Sequence, residues 1–137
     1  MNTPVTWLES RGHKIACCIA DVQPSPAQSV TVPTTASAPT IVFCSGFKSN
    51  MQGTKALALQ RLCGTNHWPC VRFDYSGHGQ SGGEFTAGNI DSWLHDALTV
   101  IDAINNPQGV VLVGSSMGAW IATVSYTHLT LPTICSV

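Results

Sequence analysis

Charge is scarce in this sequence. Only 9% of the residues are Asp, Glu, Lys or Arg, and no run of Lys and Arg occurs. With a formal net charge of −1, the chain offers no positive field for capturing nucleic acid, and no nucleic-acid partner is expected. Long apolar runs are lacking as well. None approaches the roughly 20 residues that a membrane span needs, and Met1 to Ser10 has no basic segment leading into an apolar stretch. Neither a membrane span nor export is expected. CxxC pairs are missing among Cys17, Cys18, Cys44, Cys63, Cys70 and Cys135, and no short Cys and His spacing suggests zinc. The reading is reduced, buried thiols, no metal, and a cytoplasmic location.

What the chain does have is apolar substance: 44% of its 137 residues are hydrophobic, enough for one folded domain. Val5 to Glu9 and His13 to Ala20, separated by Arg11-Gly12, predict two antiparallel strands at a sheet edge. Pro24 to Thr40, rich in Pro, Ser, Thr and Ala, reads as a surface loop with a short extended stretch around Val30 to Val32. Ile41 to Cys44, a helix from about Thr54 to Cys63, and Cys70 to Phe73 then form a strand, a crossover helix and a parallel strand. Ile90 to Ile104 predicts an amphipathic helix. Its apolar face holds Trp93, Leu94, Ala97, Leu98, Ile101 and Ile104, with Asp91, His95, Asp96 and Asp102 on the other. Val110 to Val113, bounded by glycine, reads as a central parallel strand.

The motif with most chemical content is Gly114-Ser115-Ser116-Met117-Gly118, a GxSxG between that strand and the helical Ala119-Trp120-Ile121-Ala122. A serine on a sharp strand-to-helix turn is strained, and Gly114 and Gly118 relieve the crowding around it. Ser116 is therefore the expected nucleophile. The helix start beside it offers free N–H groups to a developing oxyanion, with Met117 as one donor. The second donor belongs on the loop after an earlier strand, where Ser45-Gly46-Phe47 places the Phe47 N–H. Read blandly, both segments are ordinary glycine turns.

Other strings invite chemistry and fail on context. Gly77, Gly79 and Gly82 spell GxGxxG, but no helix start follows to receive a pyrophosphate. Gly53-Thr54-Lys55 reverses the order of a phosphate loop. His67, His78 and His95 read as a loop residue, a turn residue and an exposed helix position. The base and acid of such a site come after the nucleophile; no Asp or Glu follows Ser116, and His128 lies in a tail that is not expected to be natural sequence and is not recruited.

Taken together, SGFKSNMQGTKALAL from Ser45, VRFDYSGHGQSGG from Val71 and LVGSSMGAWIA from Leu112 resemble the branch of the α/β-hydrolase family that includes abhydrolase-domain-containing protein ten and its bacterial relatives. The resemblance covers Thr40 to Thr123 and departs from the commonest pattern at Ser45, where many members carry His. It implies an α/β fold, the N-terminal part of an α/β hydrolase, with a mostly parallel sheet and an antiparallel edge hairpin. It also implies a serine esterase or thioesterase acting on a small-molecule or acyl-protein substrate, without a cofactor. Ser116 is carried over as nucleophile, and Phe47 and Met117 as oxyanion donors. Since the acid and His of the triad have no counterpart, the chain by itself is expected to be inactive. The alternative is a non-catalytic binding module on the same half-sheet.

The string VSYTHLTLPT, Val124 to Thr133, matches one reading frame of a transposase-based sequencing adapter. Residues 124–137 are accordingly expected to be adapter read-through, leaving 1–123 as the truncated hydrolase domain. Re-amplifying the locus from source DNA is expected to replace this string. Adapter-free reads that still encode it would show that the segment is natural.

Overall fold

The computed structural model describes residues 4–20, 38–129 and 133–136. The loop expected from Pro24, with its extended stretch, lies outside the described residues up to position 37, and Thr40 already belongs to a strand. Among these residues six strands form one sheet: β1 (Val5–Ser10), β2 (His13–Ala20), β3 (Thr40–Cys44), β4 (Cys70–Phe73), β5 (Val110–Gly114) and β6 (Thr133–Ser136), in the order β1-β2-β4-β3-β5-β6. β1 and β2 are the antiparallel edge pair, and β2 joins β4 antiparallel. The remaining pairs, β3 with β4, β3 with β5 and β5 with β6, are parallel.

Among the described residues three α-helices lie against the sheet: α1 (Thr54–Thr65), α2 (Ile90–Asp102) and α3 (Met117–Leu129). Strand side chains alternate in direction, and the two faces divide accordingly. Val42, Cys44, Val71, Phe73 and Leu112 point into the main core with Trp93, Leu94, Ala97 and Val100 of α2 and Ile121 and Ala122 of α3. On the opposite face Ile41 and Cys70 meet Cys63 of α1. The helix α3 runs without a break through Thr123 and Val124.

α2 begins at a capping box. Asn89 Oδ1 accepts from the Ser92 N–H at 2.9 Å, and Ser92 Oγ accepts from the Asn89 N–H at 3.0 Å. The helix ends at Asp102, short of Ile104, and Val100 joins its inner face. The expected placing of Asp96 on the polar face is corrected by the structure: its side chain is buried. Its Oδ1 accepts from Ser10 Oγ at 2.8 Å and its Oδ2 from the Ser76 N–H at 2.8 Å. Burying a carboxylate costs several kcal/mol. Two hydrogen bonds to a charged group, about 1.5–3 kcal/mol each, offset that cost. Asp96 thus ties the end of β1, the loop after β4 and α2 into one unit.

Cys17, Cys18, Cys44, Cys63 and Cys70 are buried free thiols. Burial pushes the Cys44 thiol up to about 12. Burial, reinforced by Cys18, pushes Cys17 up to about 11. An ordinary thiol titrates near 9.0, so ionisation favours the unfolded chain. Raised folded-state values mean a contribution that is intact below pH 9.0 and lost as pH rises toward 12. Denaturation midpoints are expected to stay level to about pH 8 and decline above it. Iodoacetamide at about pH 8 should modify Cys17 and Cys44 only after unfolding; rapid labelling of the native protein would contradict the burial.

Candidate active site

The turn from β5 to α3 is shaped by backbone crowding. Ser116 has a φ of 60°, in the left-handed region that a side chain ordinarily avoids, at a cost of about 1–3 kcal/mol. Its side chain is exposed while Gly114, Ser115 and Gly118 around it are buried. A Cβ on Gly118 would lie 1.9 Å from the Cys44 carbonyl oxygen, and one on Gly114 would lie 2.2 Å from the Gly118 oxygen. Only glycine allows β5, α3 and the end of β3 to approach this closely. The Ser115 N–H donates to the same Cys44 carbonyl at 3.2 Å. Ser116 is thereby held at the carboxyl edge of the sheet, and among the described residues its Oγ has no hydrogen-bond partner.

The second expected segment lies alongside. A Cβ on Gly46 would sit 3.3 Å from Ser116 Cβ, so the backbone of the loop after β3 passes directly by the serine. Phe47 and Ser116 line a common cavity of about 290 Å³. Met117 is the first residue of α3 and packs against the main core. Among the described residues neither the Phe47 nor the Met117 N–H has a hydrogen-bond acceptor. Phe47 itself is 51% exposed, and its ring meets Phe85 at 5.2 Å and Trp93 at 5.7 Å in edge contacts.

Three residues to which the sequence reading assigned no part in the site hold this loop. Tyr75 is buried, and its hydroxyl donates to the Ser45 carbonyl at 2.9 Å. The Asp74 carboxylate accepts from the Met51 N–H at 2.7 Å and the Gln80 N–H at 2.9 Å. Burial raises the Asp74 carboxyl above its usual value, and the two N–H donors pull the other way. His78, read as a plain turn residue, is also buried. Its Nδ1 lies 3.0 Å from the Ser76 carbonyl, which can only accept, so Nδ1 carries the proton. Nε2 is then free to accept the Lys48 N–H at 3.3 Å. Both ring nitrogens of His78 are engaged in structure.

The glycine-rich string after β4 has the same purpose. Gly77 and Gly79 adopt φ of 73° and 48°, and a Cβ on Gly79 would lie 2.2 Å from Asp74 Oδ2. The loop curls around an internal carboxylate. His67 terminates α1 with a φ of 59°, and His95 is exposed on α2 beside Ser10. Among the described residues there is no cluster of three metal-binding side chains and no helix long and apolar enough to cross a membrane.

This sheet, with its crossover helix and its serine on a left-handed strand-to-helix turn, is the architecture of an α/β hydrolase. The chain belongs to the family described as Serine aminopeptidase, S33, whose signature matches residues 35–132. It is similar to palmitoyl-protein thioesterase ABHD10, mitochondrial, from Homo sapiens, at 44% identity over 84 residues, which is 61% of this chain and 27% of that protein. The rat protein of the same name is 42% identical over 84 residues, covering 61% of this chain and 28% of that protein. Among solved structures, a hydrolase from Agrobacterium vitis S4 superposes with a TM-score of 0.77 at 36% identity, over 97% of this chain and 49% of the other. Alpha/beta hydrolase domain-containing protein 10 from mouse superposes with a TM-score of 0.79 at 26% identity, over 97% of this chain and 48% of the other. The chain thus spans about a quarter of the length of the curated relatives and about half of the solved structures. The cytoplasmic expectation is corrected by these relatives, whose names place them in mitochondria. Reduced cysteines separate reducing from oxidising surroundings and do not distinguish one reducing compartment from another.

The elbow geometry sets two opposite expectations for stability. Ser116→Gly should raise it by about 1 kcal/mol, because glycine adopts a positive φ without strain. Gly118→Ala should lower it by about 3 kcal/mol or more, because the added methyl meets backbone that cannot yield. Urea midpoints for the two variants should therefore move in opposite directions; an equal loss in both would mean that position 116 is unstrained.

Proposed function

We propose that this chain carries the nucleophile and oxyanion hole of a serine hydrolase that cleaves carboxylic ester or thioester bonds through an acyl-enzyme. The single observation that carries the reading is Ser116, held at a φ of 60° with its side chain exposed at the end of β5. A serine hydroxyl is a weak nucleophile until a base takes its proton. Once it attacks, the carbonyl oxygen gains charge, and the Met117 and Phe47 N–H groups are the donors assigned to it. Gly114 and Gly118 make the turn possible, and the Asp74–His78 loop keeps the Phe47 segment in place. The names of the relatives support a thioester substrate, and the mechanism calls for no metal or organic cofactor.

No Asp or Glu follows Ser116, and the one histidine that does, His128, lies within the string taken as adapter-encoded, so neither the acid nor the base of the triad is assigned to this chain. We take residues 124–137 to be adapter-encoded, on the identity of the string alone, and residues 1–123 to be inactive by themselves. Without a base, only binding and the oxyanion hole would remain, worth about 10³ to 10⁴ over water in other serine hydrolases.

A fluorophosphonate probe tests the assignment on the full-length gene product. Labelling is expected in the wild type and absent in Ser116→Ala, with ester turnover falling by about 10⁴-fold or more. No labelling of the wild type would favour the non-catalytic binding module.

A further inference from the structure

The cavity beside Ser116 has a charge asymmetry that ester hydrolysis alone does not call for. Its walls come from β3, the loop after it, the start of α1 and the serine turn. Among the described residues that line it, Lys55 is the one that carries a charge, and none is Asp or Glu. Lys55 Nζ donates to Ser115 Oγ at 2.9 Å, which brings the ammonium group to the residue next to the nucleophile.

Two further features carry the same sign. Gly53, Thr54, Lys55 and Ala56 form the N-terminal end of α1, a helix of 12 residues, and this end opens on the cavity. Its cap, Gly53, offers no side-chain acceptor, and the first turn holds no acidic residue. Free N–H groups and the positive end of the helix dipole thus face the same space. Ser45 also lines the cavity, and its Oγ is buried with no hydrogen-bond partner among the described residues. A buried hydroxyl without a partner is uncommon.

We propose that Lys55, the α1 N-terminus, Ser45 and Ser115 form an anion-binding subsite, which selects ester or thioester substrates carrying a carboxylate or phosphate close to the scissile bond. The ammonium group supplies the charge, the helix end supplies directional N–H donors, and the two hydroxyls complete the set. The proposal rests on the serine-hydrolase reading and adds a substrate class to it.

The test uses the full-length gene product and two substrate pairs. 4-Nitrophenyl hemisuccinate against 4-nitrophenyl butyrate places the anion on the acyl side. The butyryl thioester of 3-mercaptopropionate against that of N-acetylcysteamine places it on the leaving group. Wild type is expected to prefer the anionic member of one pair, which identifies the side. Lys55→Met should cut that preference about tenfold, the discounted worth of one partly exposed charge-assisted contact. Lys55→Arg should keep most of it, and Lys14→Met, an exposed change away from the cavity, should leave it unaltered. Ratios equal within about twofold in both pairs, or a Lys55→Met loss shared by neutral and anionic substrates, would overturn the subsite. If Ser116 takes no probe and neither pair is hydrolysed, the serine-hydrolase reading is what fails. The subsite is then judged by titration with inorganic phosphate, followed through the amide resonances of residues 53–56. Shifts that vanish in Lys55→Met support it. No shifts in wild type, or shifts that persist in the variant, overturn it.

Discussion

The Cys44 carbonyl oxygen occupies the space that a side chain at position 118 would fill, and the rest of the site depends on that contact. It forces α3 to begin directly against the end of β3, which leaves the chain only Ser115 and Ser116 in which to turn from β5 into the helix, and the second of them takes up the reversal. The left-handed φ of 60° at Ser116 is the consequence. A strain of about 1–3 kcal/mol persists only where surrounding structure fixes it. Leu112 and Ile121, fully buried on either side of the turn, each contribute about 1.5–3 kcal/mol. Packing on the two flanks is therefore sufficient to hold the serine in a conformation that it would not adopt alone.

The loop after β3 is held by a different kind of force. Its backbone has few partners of its own, and polar side chains from the loop after β4 provide them: Tyr75 to the Ser45 carbonyl, His78 to the Lys48 N–H and Asp74 to the Met51 N–H. All three donor or acceptor side chains are buried. Hydrogen bonds gain strength in such surroundings, and a lost partner is correspondingly expensive. The arrangement places rigid, fully satisfied groups behind a backbone segment whose front, at Phe47, is left open. A chain with so few charges puts three of them, Arg72, Asp74 and Asp96, inside, where each organises backbone or joins separate elements.

Most of the fold was legible because its signals are local. Short apolar runs give β3, β4 and β5, the last of them bounded by glycine, and their spacing leaves room only for crossover helices. The elbow was legible for the same reason, since strand, small residue, serine, small residue and helix are consecutive. Asp96 was misplaced because helical periodicity assigns charged residues to the solvent face, whereas its partners, Ser10 and Ser76, lie 86 and 20 residues away. His78 escaped for a related reason, since a histidine between two glycines reads as a turn residue; Tyr75 carried no signal of its own, and only the fold shows the Ser45 carbonyl 30 residues from it. Pairings over such separations leave no trace in a single sequence.

The orphan hydroxyl of Ser45 joins these lines of reasoning. Tyr75 fixes the Ser45 carbonyl, so the position of residue 45 is set by its backbone and its side chain is free to serve another purpose. If that side chain had only to fill space, alanine would do so without burying an unsatisfied oxygen, at a saving of about 1–3 kcal/mol. A hydroxyl retained at that expense, beside an uncapped helix start and a lysine tethered to the residue before Ser116, is most simply explained by a ligand that satisfies it. The same feature of residue 45 that marks this chain's departure from the commonest hydrolase pattern is thus the one that gives its cavity a chemistry of its own.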